Sequence, residues 1–176
     1  AQTEASPVPD SVLYILPEFT QGKVYYKDGR VASGNINVSS LDNNVYMKDK
    51  SGTLMQIADN ELVSRVIAGD IQLHKYYERF IRLIDNNGKI YLCYAKMMII
   101  DDAQEAAYGG KNYTNSIQSM ATIYNYRKLI NLAPDVEYEL KYVPYLYDGA
   151  KYYIASKNNM IKCFPGKKDF INSYNK

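Results

Sequence analysis

Three dipeptides, Asp28-Gly29, Asn87-Gly88 and Asp148-Gly149, each stand between segments in which apolar and polar residues alternate. Such pairs accept the positive φ of a two-residue hairpin loop, and a period of two marks a strand with one face buried. A chain punctuated in this way is committed to pairing neighbouring strands antiparallel. The flanking segments are 22–27 and 30–38, then 79–84 and 89–100, then 136–147 and 151–156. Turn residues at 41–44, 49–52 and 69–70 frame further strands at 45–48, 53–58, 62–67 and 71–77. Residues 12–16, ended by Pro17, and residues 120–130 read as two more strands. Over 76–83 a helical reading competes with the strand.

Two stretches leave this pattern. Ala103 to Ala107 reads as one helical turn with Asp101-Asp102 at its acidic start, and 109–116 has the composition of a loop. Near the end, Ser156 is a fair N-cap for a helix over 157–164, Pro165-Gly166 stops it, and 167–174 makes a second helix. Ile161, Phe164 and Ile171 are expected to pack against the sheet. The fold predicted is mainly β, an antiparallel β-sandwich or open roll with two short C-terminal helices. It divides into a flexible lead (1–11), an antiparallel β domain (12–156) and a basic helical cap of the same domain (157–176). Residues 151–176 carry six Lys and one Asp, so an overall net charge of +2 conceals a basic tail on an acidic body.

Tyrosine dominates the aromatic content, with 19 Tyr against 4 Phe and no Trp. Adjacent pairs at 25–26, 76–77 and 152–153 must each present one ring to either face of a strand, so both faces are aromatic, one buried and one wet. Tyrosine-rich sheets bind sugars by stacking, although the lack of Trp weakens that reading. Ala1 to Pro7 resembles the small, polar stub that signal-peptide removal leaves, which predicts export. No apolar run approaches the ~18 residues of a membrane span.

Catalytic signatures are sparse. His74 is the single histidine, and no Gly-x-Ser-x-Gly elbow occurs. Cys93 and Cys163 have no catalytic context; one disulfide and two buried thiols both fit them. Zinc-ligand spacing is missing, and the acidic turns at Asp42, Asp49 and Asp85 lack the order of a calcium loop, so no metal or cofactor is expected. Asp101, Asp102 and Glu105, beside a Gly-rich loop, are the best acid/base set for glycan hydrolysis. Tyr108, Lys111 and Tyr113 in that loop are candidate ligand contacts. Lys-Tyr clusters at 23–27, 75–77 and 151–153 have the look of single-strand nucleic-acid platforms, but a near-neutral charge and an acidic body argue against nucleic acid. Lys157, Lys162, Lys167 and Lys168 form a solvated helix face or meet anionic lipid or an acidic partner. The partner is left open, with an envelope protein or a glycan the leading classes.

Phe19-x-x-Gly22-Lys23-Val24 with the Lys27-Asp28-Gly29 turn, Val45-Tyr46-Met47 with the Ser51-Gly52 turn, and Ala107-Tyr108-Gly109-Gly110 follow in order. This order resembles a group of exported proteins of unknown function from Gram-negative gut bacteria. The ending, Lys162-x-Phe164-Pro165-x-Lys167-Lys168 with Ile171, is similar to that group's helical C-terminus. The resemblance implies a β-rich fold in the periplasm or at the cell surface and brings no catalytic residue. The function expected is a non-catalytic binding or structural module of the cell envelope, with a carboxylate-dependent glycan hydrolase as the alternative.

Overall fold

The computed structural model describes residues 6–86, 88–101, 103–105, 111–113, 131–132 and 137–174. After β1 (Ser6–Pro7) and one helical turn, α1 (Asp10–Leu13), the chain makes β2 (Thr20–Tyr26), β3 (Val31–Val38), β4 (Val45–Lys48) and β5 (Leu54–Gln56). Then come β6 (Val63–Ala68), β7 (Ile71–Tyr76), β8 (Arg79–Asn86), β9 (Tyr91–Asp101), β10 (Ala103–Glu105), β11 (Lys111–Tyr113) and β12 (Asn131–Leu132). The last strands are β13 (Glu137–Tyr147) and β14 (Tyr152–Ile154), followed by α2 (Lys157–Cys163) and α3 (Lys168–Tyr174). Ten strands join one open antiparallel sheet in the order β14-β13-β9-β8-β7-β6-β2-β3-β4-β5. Gly29, Gly88 and Gly149 all have positive φ at the hairpin turns expected of them, while Asn87 lies outside the described residues.

The sheet is not flat, and its register says how it bends. Val24, Tyr26, Ile36, Val38, Val45, Val66, Leu73 and Phe80 share one face and one core. Five strand steps separate β8 from β4, roughly 24 Å at ordinary spacing, yet the Phe80 amide donates to Asn43 Oδ1 beside β4 at 3.4 Å. This half therefore coils with that face inside. The opposite face holds Tyr76, Ile81, Leu83, Cys93, Ala95, Val143, Tyr145, Tyr147 and Tyr152 as a second core. Here β7 and β14 are four steps apart, about 19 Å if flat, but His74 Nδ1 and Tyr152 Oη are 3.0 Å apart. The sheet thus curls one way, then the other, in an S whose shared segment is the β7–β8 hairpin. Gly22 and Gly34 face each other across β2 and β3 where the first coil is tight. A Cβ on Gly22 would lie 2.7 Å from the Ile67 carbonyl oxygen, so only glycine fits this approach.

A third cluster joins the two halves. Val8, Leu13, Tyr14, Leu41, Tyr46 and Met98 are buried together, although Val8 belongs to the stretch read from sequence as a lead. Residues 12–16 do not form the expected strand. Pro9 and the acidic Asp10 start a helical turn, and only Tyr14 keeps a bridge, to Ser39. Lys96, only 7% exposed, donates from Nζ to the Ser11 and Tyr14 carbonyls and so closes the helix end from β9. Ala103 to Glu105, expected as a helical turn, is a strand paired with β11, and Asp101 ends β9 instead of opening a helix. Residues 120–130 lie outside the described residues. At the C-terminus Ser156 Oγ accepts from the Asn159 amide as the expected cap, and the helices are separated by a 3-10 turn, Pro165–Lys167. Ile171 is buried, whereas Ile161 and Phe164 are half-buried.

Because Phe80 and Ile81 are adjacent yet serve opposite cores, each should be indispensable. Phe80→Ala should cost about 3–5 kcal/mol and Ile81→Ala about 2–5 kcal/mol of folding stability in urea titrations. A loss below ~1 kcal/mol at either residue would mean its face is unsealed.

Candidate functional site

Where the margins of the first coil approach, they leave a cleft of about 440 Å³ lined by the β3–β4 turn, the segment after β5 and the β7–β8 turn. Asn60 cements it: its Nδ2 donates to Asn44 Oδ1 at 2.6 Å, its Oδ1 accepts from the Val45 amide at 2.8 Å, and its carbonyl accepts from Lys75 Nζ at 2.8 Å. Asp42 receives the Tyr46 hydroxyl at 2.7 Å, and burial together with that carboxylate holds the Tyr46 hydroxyl far above its ordinary range. Asp59 is held at 2.9 Å by Arg30, which also binds Asp28. Burial lowers the Lys75 ammonium. The ten lining residues include four carboxylates (Asp42, Asp59, Glu61, Glu78) and four carboxamides (Asn43, Asn44, Gln56, Asn60), with Lys75 the single cation. Such a surface suits a ligand rich in O–H or N–H donors and repels an anionic one.

Backbone strain gathers at the same place. Among the described residues the non-glycine positions with positive φ are Asn43 (55°), Asp59 (51°) and Tyr77 (53°). Two of these line the cleft, and Tyr77 lies between the lining residues Lys75 and Glu78. For a bulky residue such a φ is a true outlier, in a two-residue loop where glycine or asparagine is normal. Tyr77 is also 80% exposed, its ring edge-on to Tyr76 at 4.6 Å.

The second coil is closed by rings instead of amides. Tyr147 and Tyr152 stack at 4.3 Å, Tyr76 lies 4.6 Å from Tyr152, and His74 meets Tyr147 edge-on at 5.7 Å. Arg79 donates to the Tyr145 hydroxyl at 3.3 Å. Burial raises the Tyr152 hydroxyl and pushes the Cys93 thiol up to about 11, which leaves an inert thiol. His74 is half-buried with Nδ1 hydrogen-bonded to the Tyr152 hydroxyl, and Cys93 and Cys163 are both free. The acidic turns serve their own backbones: Asp49 Oδ1 accepts the Ser51 and Thr53 amides, and Asp42 Oδ1 accepts that of Asn44. Among the described residues no group of three or more His, Cys, Asp or Glu is placed to hold a metal.

The residues singled out from sequence lie elsewhere. Asp101 ends β9 opposite Glu137, Glu105 pairs with Lys111 in register, and Tyr113 pairs with Ala103. Asp102 and Tyr108 lie outside the described residues. In the sequence Asn43-Asn44 reads as a turn only, and Asp59-Asn60 does not stand out. The available signal was the pair of successive residues that tolerate left-handed backbone at each place. No family model matches the chain, and no curated protein or solved structure matches it.

Burial first, and then the Arg65 charge, lowers the His74 pKa from 6.5. The unfolded chain then takes up the proton before the folded one, so the stability that neutral His74 contributes is complete above pH 6.5 and declines as pH falls below it. Chemical denaturation from pH 7.5 to 5 should show this decline in the parent chain and a shallower one in His74→Gln. Parallel profiles would place the acid sensitivity elsewhere.

Proposed function

We propose that the protein is a non-catalytic binding module of the bacterial cell envelope, exported to the periplasm or cell surface, that takes a polyhydroxylated glycan in the cleft of the first coil. The observation that carries this reading is that, of the three described non-glycine residues with positive φ, Asn43 and Asp59 line that cleft and Tyr77 sits in the turn between its lining residues Lys75 and Glu78. At Tyr77 such a backbone costs about 1–3 kcal/mol, whereas Asn43 and Asp59 adopt it more readily. Strain of that kind persists where the surrounding structure holds it for a site. Planar amides and carboxylates match the vicinal hydroxyls of a sugar, and their acidic excess favours neutral or amino sugars over uronic or phosphorylated ones. Exposed Tyr77, in the turn between the lining residues Lys75 and Glu78, offers a ring for stacking. The compartment follows from what the resemblance of the motifs at Phe19–Val24, Val45–Met47 and Lys162–Ile171 to exported envelope proteins implies.

A second reading, a carboxylate-dependent glycan hydrolase, draws on the register that sets Asp101 opposite Glu137, with Glu105 close by in sequence. The two readings separate on whether bound glycan stays whole. Neutral glycans on an array should bind and remain uncut. Tyr77→Gly should raise folding stability by about 1 kcal/mol through relief of the backbone while weakening binding several-fold. A blank array would sink the module reading, and reducing-end release that Asp101→Asn or Glu105→Gln abolished would establish the hydrolase.

A further inference from the structure

The C-terminal helices combine the chain's densest positive charge with an apolar groove. Met160, Phe164, Phe170, Ile171 and the Lys167 side chain line a groove of about 330 Å³ where α2 and α3 meet. Ile171 is 4% exposed, but Phe170 stands 66% in solvent. Ile154, 61% exposed, is tied to the start of α2, its carbonyl accepting from Asn159 Nδ2 at 2.9 Å. Lys157, Lys162, Lys167 and Lys168 occupy the same short stretch, and Asp169 is the one acid in residues 151–176. The ion pairs among the described residues are both made by Arg30 and leave these lysines out.

We infer that this helical hairpin seats on the surface of an anionic phospholipid bilayer, with Phe170 and Phe164 in the interfacial layer and the lysines on headgroup phosphates. Charge complementarity selects an anionic occupant, and size selects a surface over a protein. A stable protein interface takes roughly 20–30 residues and ~800 Å² from each side, and a groove lined by five residues falls far short. A bilayer demands no shaped counterpart: each lysine near an anionic surface adds its own attraction, and exposed aromatic groups enter the headgroup boundary. Lysine stems can lie along the groove while their ammonium groups reach phosphate. Helices of seven residues are about 10 Å long, so they lie on the membrane and do not cross it.

The chain contains no Trp, so Phe170→Trp installs a single fluorescent reporter at an exposed site. With vesicles of phosphatidylglycerol and phosphatidylcholine, its emission should shift to the blue and the full chain should sediment with the lipid. Phosphatidylcholine alone should give neither. The Lys167→Gln/Lys168→Gln pair should weaken binding roughly 30-fold, at about fivefold per lysine, and Phe170→Ser should weaken it further. No emission shift, or equal binding to both vesicles, would overturn the proposal. So would a vesicle-independent dimer in sedimentation velocity that Phe170→Ser dissolved, which would give the groove to a second copy of the chain.

Discussion

The β7–β8 hairpin is buried from both sides. An antiparallel sheet ordinarily hides one face and wets the other. Here Leu73 and Phe80 are sealed on one face while Ile81, next in sequence, is sealed on the other. Both sides of the hairpin must be covered, and the cover is the sheet itself, coiled in opposite senses on either flank. Layers of secondary structure normally supply this burial, but one S-shaped sheet makes two cores without a second layer. The Gly22–Gly34 pair permits the first bend. The N-terminal helical turn, pinned by Lys96, fills the space between the coils.

Each coil ends in a seam, and the seams have different chemistry. Rings close the second: Tyr147, Tyr152, Tyr76 and His74 interlock, with His74 Nδ1 paired to the Tyr152 hydroxyl. This accounts for four of the 19 tyrosines, Tyr76, Tyr145, Tyr147 and Tyr152, because a narrow coil needs large flat bodies whose polar tips find partners, here His74, Arg79 and the Gly149 carbonyl. The first seam is joined by Asn60 to the turn at 43–44 and stays open as a polar cleft. Amide hydrogen bonds fix a gap without filling it. The wet seam is therefore where a ligand can enter, and it is also where backbone strain collects.

Local chemistry was readable from the residues, and long-range convergence was not. Gly29, Gly88 and Gly149 announce their turns because positive φ is a property of the loop itself. The Tyr25–Tyr26 and Tyr152–Tyr153 pairs split between faces as alternation requires, with Tyr26 in the core and Tyr153 exposed. Val12 to Leu16 misleads because its β-branched and aromatic residues favour a strand. What decides the helical turn there is tertiary: the cation that caps it is Lys96, eighty-odd residues away. Ala103 to Glu105 misleads in the opposite sense, since three helix-favouring residues weigh little against pairing with β11. Nothing near His74 in sequence identifies Tyr152, and nothing near Asn43 identifies Asn60, because both meetings depend on how far the sheet coils.

The charge distribution follows the same division. Had the tail lysines been placed by the cleft, they would have neutralised Asp42, Glu61 or Glu78 and removed its preference for neutral donors. Instead the acidic groups sit around β4 to β8 and the lysines on α2 and α3, beyond β14 at one edge of the strand order. An anionic surface that attracts the tail repels the cleft, and that field fades over a Debye length of about 8 Å at physiological salt. A chain carrying +2 overall is therefore electrically polarised. Segregating the charge lets one end favour an anionic surface while the other keeps a site open to uncharged ligands.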